Sequence, residues 1–303
     1  MSKFRPDVPN GDNITIEQLL DMRSGLFNYT ETAELNETLD NDPQKQWKPE
    51  DLLALGFANP PYFPPGQGYH YSNTNIVLLG LIAESLAEAV AADLPVAALR
   101  PARLTGTSFP DTADNTIPAP YSHGYVFGTN MDTLTDPALP EQMQAAAEDG
   151  TLQPNDVTNV NPSWAWAAGA GISTANDLVT WVQRWSAASC SRRPAGSAPR
   201  SVQPTSPDSG SAEYGWGIAK MGPDFGHTGE LPGFNSFMGT IRQQVTLVVW
   251  ANLAPPRTDR TRDHHGQGDH RQGLSRLGVR FRDVIAYRFR SWSRRTLPWE
   301  VGP

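Results

Sequence analysis

A chain of 303 residues with 38% hydrophobic residues and nine Trp has enough apolar side chain for a sizeable core, which excludes a disordered chain and fits one composite domain or two closely joined ones. Its formal net charge of −8 is unevenly spread: residues 256–303 hold eleven Arg, no Lys and five acids, a net +6 that leaves −14 on residues 1–255, so the last stretch is compositionally separate. Cys190 is the single cysteine, which excludes an intrachain disulfide and leaves the redox compartment open.

Residues 1–13 are Pro, Gly and Asp punctuation without an apolar leader core. As written, the chain reads as cytoplasmic, neither exported nor membrane-inserted. The longest strongly apolar run, starting at Ile76, is far short of the roughly 20 residues that span a bilayer. Thr15-x-x-Gln18 is a capping box ahead of Leu19, Leu20 and Met22, predicting a short helix that runs into a Ser24-Gly25 turn. Residues 27–42 are polar and acidic and read as a loop. Lys48-Pro49-Glu50-Asp51 then opens a helix through Leu52, Leu53 and Leu55, with Pro in its first turn and acids at its positive end.

A Gly/Pro-rich turn next delivers Tyr71-Ser72-Asn73 onto a helix predicted over residues 76–90. Tyr71 and Asn73 are two apart and are expected to project to one side, with Asn73 or Thr74 capping the helix. Ile76, Val77, Leu78, Leu79, Leu81 and Ile82 are apolar on every face, which predicts a buried helix. A second short helix is predicted over 96–104, and a long irregular region over 108–162 with one helical candidate at 141–148. Thr174-x-x-Asp177 caps a helix whose Leu178, Trp181, Val182 and Trp185 recur at i, i+3, i+4 and i+7, which assigns the tryptophans to the core. From Glu213 the period becomes two. Tyr214, Trp216 and Ile218 alternate with small or polar residues, and residues 234–241 and 245–252 complete an antiparallel meander. Residues 245–250 are apolar on both faces and are expected to be central.

Two stretches, 186–200 and 256–303, break the pattern abruptly and are dominated by Arg, Pro, Ala, Gly and Ser. They read as out-of-frame or decayed translation. Asp263, His264, His265, Asp269 and His270 are metal-binding residue types without a periodic frame, so no metal site is expected. Arg280, Arg282, Arg288 and Arg290 alternate with Val279, Phe281, Tyr287 and Phe289. This pattern is open to an amphipathic strand or a nucleic-acid patch, but a solvated basic tail is expected.

Four motifs stand in order: ITIEQLLDMRSGL at 14–26, YSNTN at 71–75, GAGIST at 169–174 and GHTGELPGFNS at 226–236. With these motifs the chain resembles the serine β-lactamase and D-alanyl-D-alanine carboxypeptidase superfamily, in the branch of class C-like enzymes, DD-peptidases and related esterases. The resemblance covers roughly residues 6–185 and 201–254. It implies an α/β fold, an antiparallel sheet flanked by helices. Residues 1–255 would form the domain, with 27–162 as a helical, loop-rich insertion, 213–253 as sheet strands and 256–303 as an atypical Arg-rich tail. The implied activity is acyl transfer: serine attack on an amide, ester or β-lactam carbonyl, then hydrolysis of the acyl-enzyme. By position, Tyr71 would serve as acid/base, Asn73 would orient substrate, and His227, Thr228 and Gly229 would line the site. The implied partner is a small acyl substrate, a D-Ala-D-Ala-like peptide, a β-lactam or an ester. No cofactor, metal or nucleic acid is implied.

The nucleophile of that superfamily lies in a Ser-x-x-Lys helix, which has no match here. The lysines are Lys3, Lys45, Lys48 and Lys220, and the residues three before the last three are Asp42, Lys45 and Gly217. No Gly-x-Ser-x-Gly elbow replaces it. A tyrosine of ordinary pKa near 10 then stays protonated at neutral pH for want of a nearby cation. The expectation is a family member lacking its N-terminal Ser-x-x-Lys region and incomplete at both ends, inactive or severely impaired. The alternative is a noncatalytic ligand-binding pseudo-enzyme of the same fold. Resequencing the gene tests the reading of the two atypical stretches: coding DNA that runs unshifted through both with ordinary codon usage overturns it.

Overall fold

A computed structural model of the chain describes residues 1–89, 104–136, 138–190, 203–204, 212–221, 224–241 and 245–253. Residues 96–103 of a predicted helix, 191–200 of the first atypical stretch, and the Arg-rich tail with its candidate metal residues lie outside them. Helix α1, Ile16–Leu20, carries the complete capping box: Gln18 N donates to Thr15 Oγ1 at 3.1 Å and Thr15 N to Gln18 Oε1 at 2.9 Å. The segment expected as a loop instead holds a 3₁₀ turn, Tyr29–Glu31, and helix α2, Ala33–Asn41. Its apolar stripe is only Leu35 and Leu39, four apart and buried, and Thr32 caps it. That narrow stripe is what made a polar helix look like a loop. Helix α3, Pro49–Phe57, begins at its proline as predicted. Helix α4 spans Asn73–Ala89, α5 Glu141–Glu148 and α6 Ala175–Cys190.

Strands β1, Tyr125–Val126, and β2, Asn155–Asp156, form a small antiparallel pair. Strands β3 (Gln203–Pro204), β4 (Ala212–Gly215), β5 (Ile218–Met221), β6 (Asp224–Leu231), β7 (Phe234–Ile241) and β8 (Val245–Ala251) form a six-stranded antiparallel meander in chain order. Three expectations are corrected. Trp216 does not continue a strand: with φ 53° at Trp216 and 77° at Gly217, these two residues make the tight turn between β4 and β5, and Trp216 is exposed. Strand β8 lies at the end of the described sheet, not its centre, and its Trp250 is 51% exposed. Trp181 of α6 is likewise exposed rather than in the core.

One apolar cluster joins α1 to α4 with Trp164 and Trp166, and a second lies on the sheet around Tyr214, Phe237 and Leu247. Tyr29, fully buried, donates its hydroxyl to Trp164 O at 2.8 Å. Helix α4 approaches the Trp166 segment so closely that a Cβ at Gly80 would sit 2.7 Å from Ala167 Cβ and the Trp166 ring. Helix α4 is not apolar all round, since Leu86 is 51% exposed. No helix among the described residues is long and apolar enough to cross a membrane.

The start of α4 is polar and buried. Ser72, Thr74 and Asn75 are at most 1% exposed, and the chain from Met22 to Tyr29 satisfies them. Ser24 Oγ donates to Asn75 Oδ1 at 2.6 Å and Thr74 Oγ1 to Phe27 O at 2.6 Å. Tyr29 N donates to Thr74 Oγ1 at 3.1 Å, and Asn73 N to Asn28 Oδ1 at 3.0 Å. Asn73 and Thr74, expected as caps, lie inside the helix, and their side chains donate to Thr30 Oγ1 and Phe27 O. The same turn holds the sheet: Trp216 N donates to Asp21 Oδ1 at 3.0 Å, and Gly217 N to Leu20 O at 3.3 Å.

Leu78 is fully buried in α4, so Leu78→Ala is expected to lower unfolding free energy by about 2–5 kcal/mol in urea titration. Asp21 is 1% exposed, and burial raises its pKa. The folded carboxyl therefore holds its proton more tightly than the unfolded one, and stability falls as pH rises through that raised value. Asp21→Asn keeps the acceptor for Trp216 N and removes the charge. It is expected to raise the urea midpoint at neutral pH, with the gain vanishing near pH ~3, where Asp21 is protonated in both states.

Candidate active site

Tyr71 lies two residues before α4, and the bonds that hold the helix start leave its ring against the sheet. It meets Tyr214 of β4 edge to face at 5.9 Å between centroids, and His227 of β6 at 6.1 Å. Tyr71 and His227, far apart in sequence, are thus brought together. Burial pushes the Tyr71 hydroxyl up to about 12, and a hydrogen bond with Tyr214 pulls the other way. Tyr214 Oη lies 3.1 Å from His227 Nε2. Burial raises the Tyr214 hydroxyl well above its ordinary value, with Tyr71, Tyr69 and Asp21 adding to the rise. Burial lowers the His227 pKa, and its Nδ1–H bond to the Thr228 carbonyl partly offsets this. Tyr69 packs on Tyr214 at 6.1 Å and is itself raised, again chiefly by burial.

Asn73 is held by a neighbour of its own. Its Nδ2 donates to Thr30 Oγ1 at 3.2 Å, because helical geometry at Asn73 replaces the extended one that would set residues two apart side by side. Thr228 and Gly229 follow His227 on β6, opposite Phe237 and Ser236 of β7. A Cβ at Gly229 would lie 2.5 Å from Ser236 Oγ, so a side chain there would displace that hydroxyl. His227, Thr228 and Gly229 are each partly exposed.

Two loop histidines, His70 and His123, have defined partners. His70 stacks on Tyr62 at 3.7 Å, its Nδ1–H donates to Tyr71 O at 2.9 Å, and its Nε2 lies 3.8 Å from Glu31 Oε1. It fixes the backbone that carries Tyr71. His123 Nδ1 lies 2.8 Å from Asp156 Oδ2, and Asp156 is held down to about 2, first by its bond from Thr158 and then by His123.

The sequence reading missed Tyr214, Asn28 and Thr30. Tyr214 carried a signal only as one apolar position of a period-two run, and nothing in its spacing ties it to Tyr71. Of the lysines, Lys220 pairs with Glu213 between β4 and β5, and Lys45 lies over the Trp47 ring at 3.7 Å. Among the described residues no group of three or more His, Cys, Asp or Glu is placed to hold a metal.

The fold that carries this arrangement has counterparts in known proteins. The Beta-lactamase family model matches residues 5–272. A D-stereospecific amidohydrolase from Streptomyces sp. is 25% identical and superimposes with a TM-score of 0.69, over 90% of this chain and 76% of that one. D-amino acid amidase from Ochrobactrum anthropi SV3, in complex with D-phenylalanine, is 19% identical with a TM-score of 0.63, over 91% and 74% of the two chains. A penicillin-binding protein from Bacillus halodurans is 19% identical with a TM-score of 0.52, over 83% and 74%; these last two likenesses concern the fold alone. With a family model spanning most of its length and the fold to match, the chain belongs to the Beta-lactamase family.

Proposed function

We propose that these residues form the acid/base and substrate-binding part of a serine acyl-transfer site for small acyl compounds, and that the sequence as given turns them over little or not at all. The substrate class is a D-amino acid amide or a D-Ala-D-Ala-like peptide, with esters and β-lactams sharing the same carbonyl chemistry. The amidohydrolase and amidase named above support the amide reading. One observation carries the proposal: Tyr71 and His227 meet at 6.1 Å at the head of α4, in a sequence with no serine three residues before a lysine. In this reading Tyr71 is the acid/base, Asn73 and Thr228 bind the polar ends of the substrate, and Gly229 lets its backbone approach β6.

The missing turnover has a physical cause. A hydroxyl pushed up to about 12 is ionised in about one part in 10⁵ of molecules at pH 7, and a residue three places from a serine on one helix face is what would otherwise activate that serine. A noncatalytic ligand-binding protein of this fold is the second reading, favoured by the same geometry, because Asn73 and the β6 edge remain in place without a nucleophile.

Intact mass after incubation with a penicillin, and separately with a fluorophosphonate, tests the first statement. The expected result is no stoichiometric adduct on the folded chain, and an adduct mapped to a serine overturns it. Calorimetric titration with D-phenylalanine amide tests the binding statement. Saturable binding is expected, weakened about five- to tenfold by Asn73→Ala, the loss of one hydrogen bond; no saturable binding overturns it.

A further inference from the structure

One side chain beyond Asn73 stands a carboxylate. Glu31 closes the 3₁₀ turn Tyr29–Glu31, and its side chain is 42% exposed, yet three neighbours fix it. Tyr62 Oη donates to Oε2 at 2.6 Å, Asn28 Nδ2 donates to Oε1 at 3.2 Å, and His70 Nε2 lies 3.8 Å from Oε1. These neighbours are held in turn. Tyr62 stacks with Phe27 at 5.1 Å and with His70 at 3.7 Å, and Asn28 is buried. Burial first and the bond to Glu31 second raise the Tyr62 hydroxyl above its ordinary value, so it stays a donor to the carboxylate. The Asn28 carboxamide joins Glu31 to the head of α4, because its Oδ1 accepts from Asn73 N at 3.0 Å.

What this network leaves facing a ligand is a set of acceptors. Asn73 Nδ2 gives a hydrogen to Thr30 Oγ1 at 3.2 Å, and among the described residues nothing donates to Asn73 Oδ1. Thr30 precedes Glu31 in the chain. Among the described residues no Lys or Arg pairs with Glu31, and His70, its Nδ1–H given to Tyr71 O at 2.9 Å, stands beyond hydrogen-bond distance of it. A fixed carboxylate beside two neutral acceptors suits a cation with several N–H donors.

Given the small-acyl site read at Tyr71 and Asn73, on which this rests, we propose that Glu31, with Asn73 Oδ1 and Thr30 Oγ1, binds the α-ammonium group of the substrate. The substrate class then narrows to amides and esters of amino acids whose amine is free. An ammonium brings three hydrogens and the charge that the carboxylate lacks. An acylated amine brings one N–H and no charge, and would cover Glu31 without pairing it. Peptides acylated at that nitrogen are therefore disfavoured.

Calorimetric titration of the full chain at about pH 6.5, below the ordinary α-amino pKa of about 7.7–8.0, tests the ammonium seat. The ligands are D-phenylalanine amide, 3-phenylpropanamide, which has hydrogen in place of the ammonium, and N-acetyl-D-phenylalanine amide. D-phenylalanine amide is expected to bind about tenfold or more tightly than either of the others, the worth of a charge-assisted hydrogen bond. Glu31→Gln keeps the size of the side chain and removes its charge. It is expected to bring D-phenylalanine amide and 3-phenylpropanamide within about threefold of each other, since only the charged ligand is coupled to Glu31. A purely structural Glu31 would weaken both alike, so an unchanged ratio in Glu31→Gln overturns the proposal. Should Glu31→Gln fail to fold, the unmodified chain decides. Equal affinity for the ligands with and without a free ammonium overturns the seat and leaves the small-acyl site standing. No saturable binding of any of them overturns both.

Discussion

The structure depends on how the buried N-terminus of α4 is satisfied. The first amides of any helix lack partners within it, and buried polar side chains left unpaired cost about 1–3 kcal/mol each. Here Ser72, Thr74 and Asn75 are all buried at that end, and one short segment, Met22 to Tyr29, meets them. It does so with a serine hydroxyl, an asparagine carbonyl, backbone carbonyls and the Met22 thioether, which lies 3.5 Å from Ser72 N and 3.4 Å from Asn75 Nδ2. The clasp is therefore specific in both partners. Most alternative residues in either segment would leave a buried donor or acceptor orphaned.

That clasp joins the two layers of the molecule. The same turn reaches the hairpin of β4 and β5 through Asp21 and Leu20, while Met22 packs in the sheet cluster with Tyr214 and Phe237. Helix α4 is thus held at a fixed distance from the sheet, and Tyr71, one step before Ser72, has its ring fixed between them. A site built at such a junction is precise because polar bonds and apolar contacts restrain the same few residues.

Within the site the electrostatics favour neutral groups throughout. Three tyrosines are raised by burial, His227 is lowered by it, and the sheet lysine Lys220 is paired with Glu213.

The sequence by itself determined the family, the capping box of α1, the proline start of α3, α5 to the residue, and the antiparallel strands from Phe234 onward, because each is written in local spacing or in motif order. By resemblance it also expected Tyr71 and His227 to lie together, and their rings are 6.1 Å apart. Only the tertiary structure decided the rest. Helix α2 was hidden because its stripe is two leucines wide. The Trp216-Gly217 turn was hidden because an apolar residue with φ 53° looks like one more position in an alternating strand. The role of Ser24, Asn28, Thr74 and Asn75 as a mutual clasp, and of Tyr214 as the link from Tyr71 to His227, depends on which distant groups each meets after folding. No periodicity encodes that, because hydrogen bonds between segments far apart in the chain are set by packing and not by spacing.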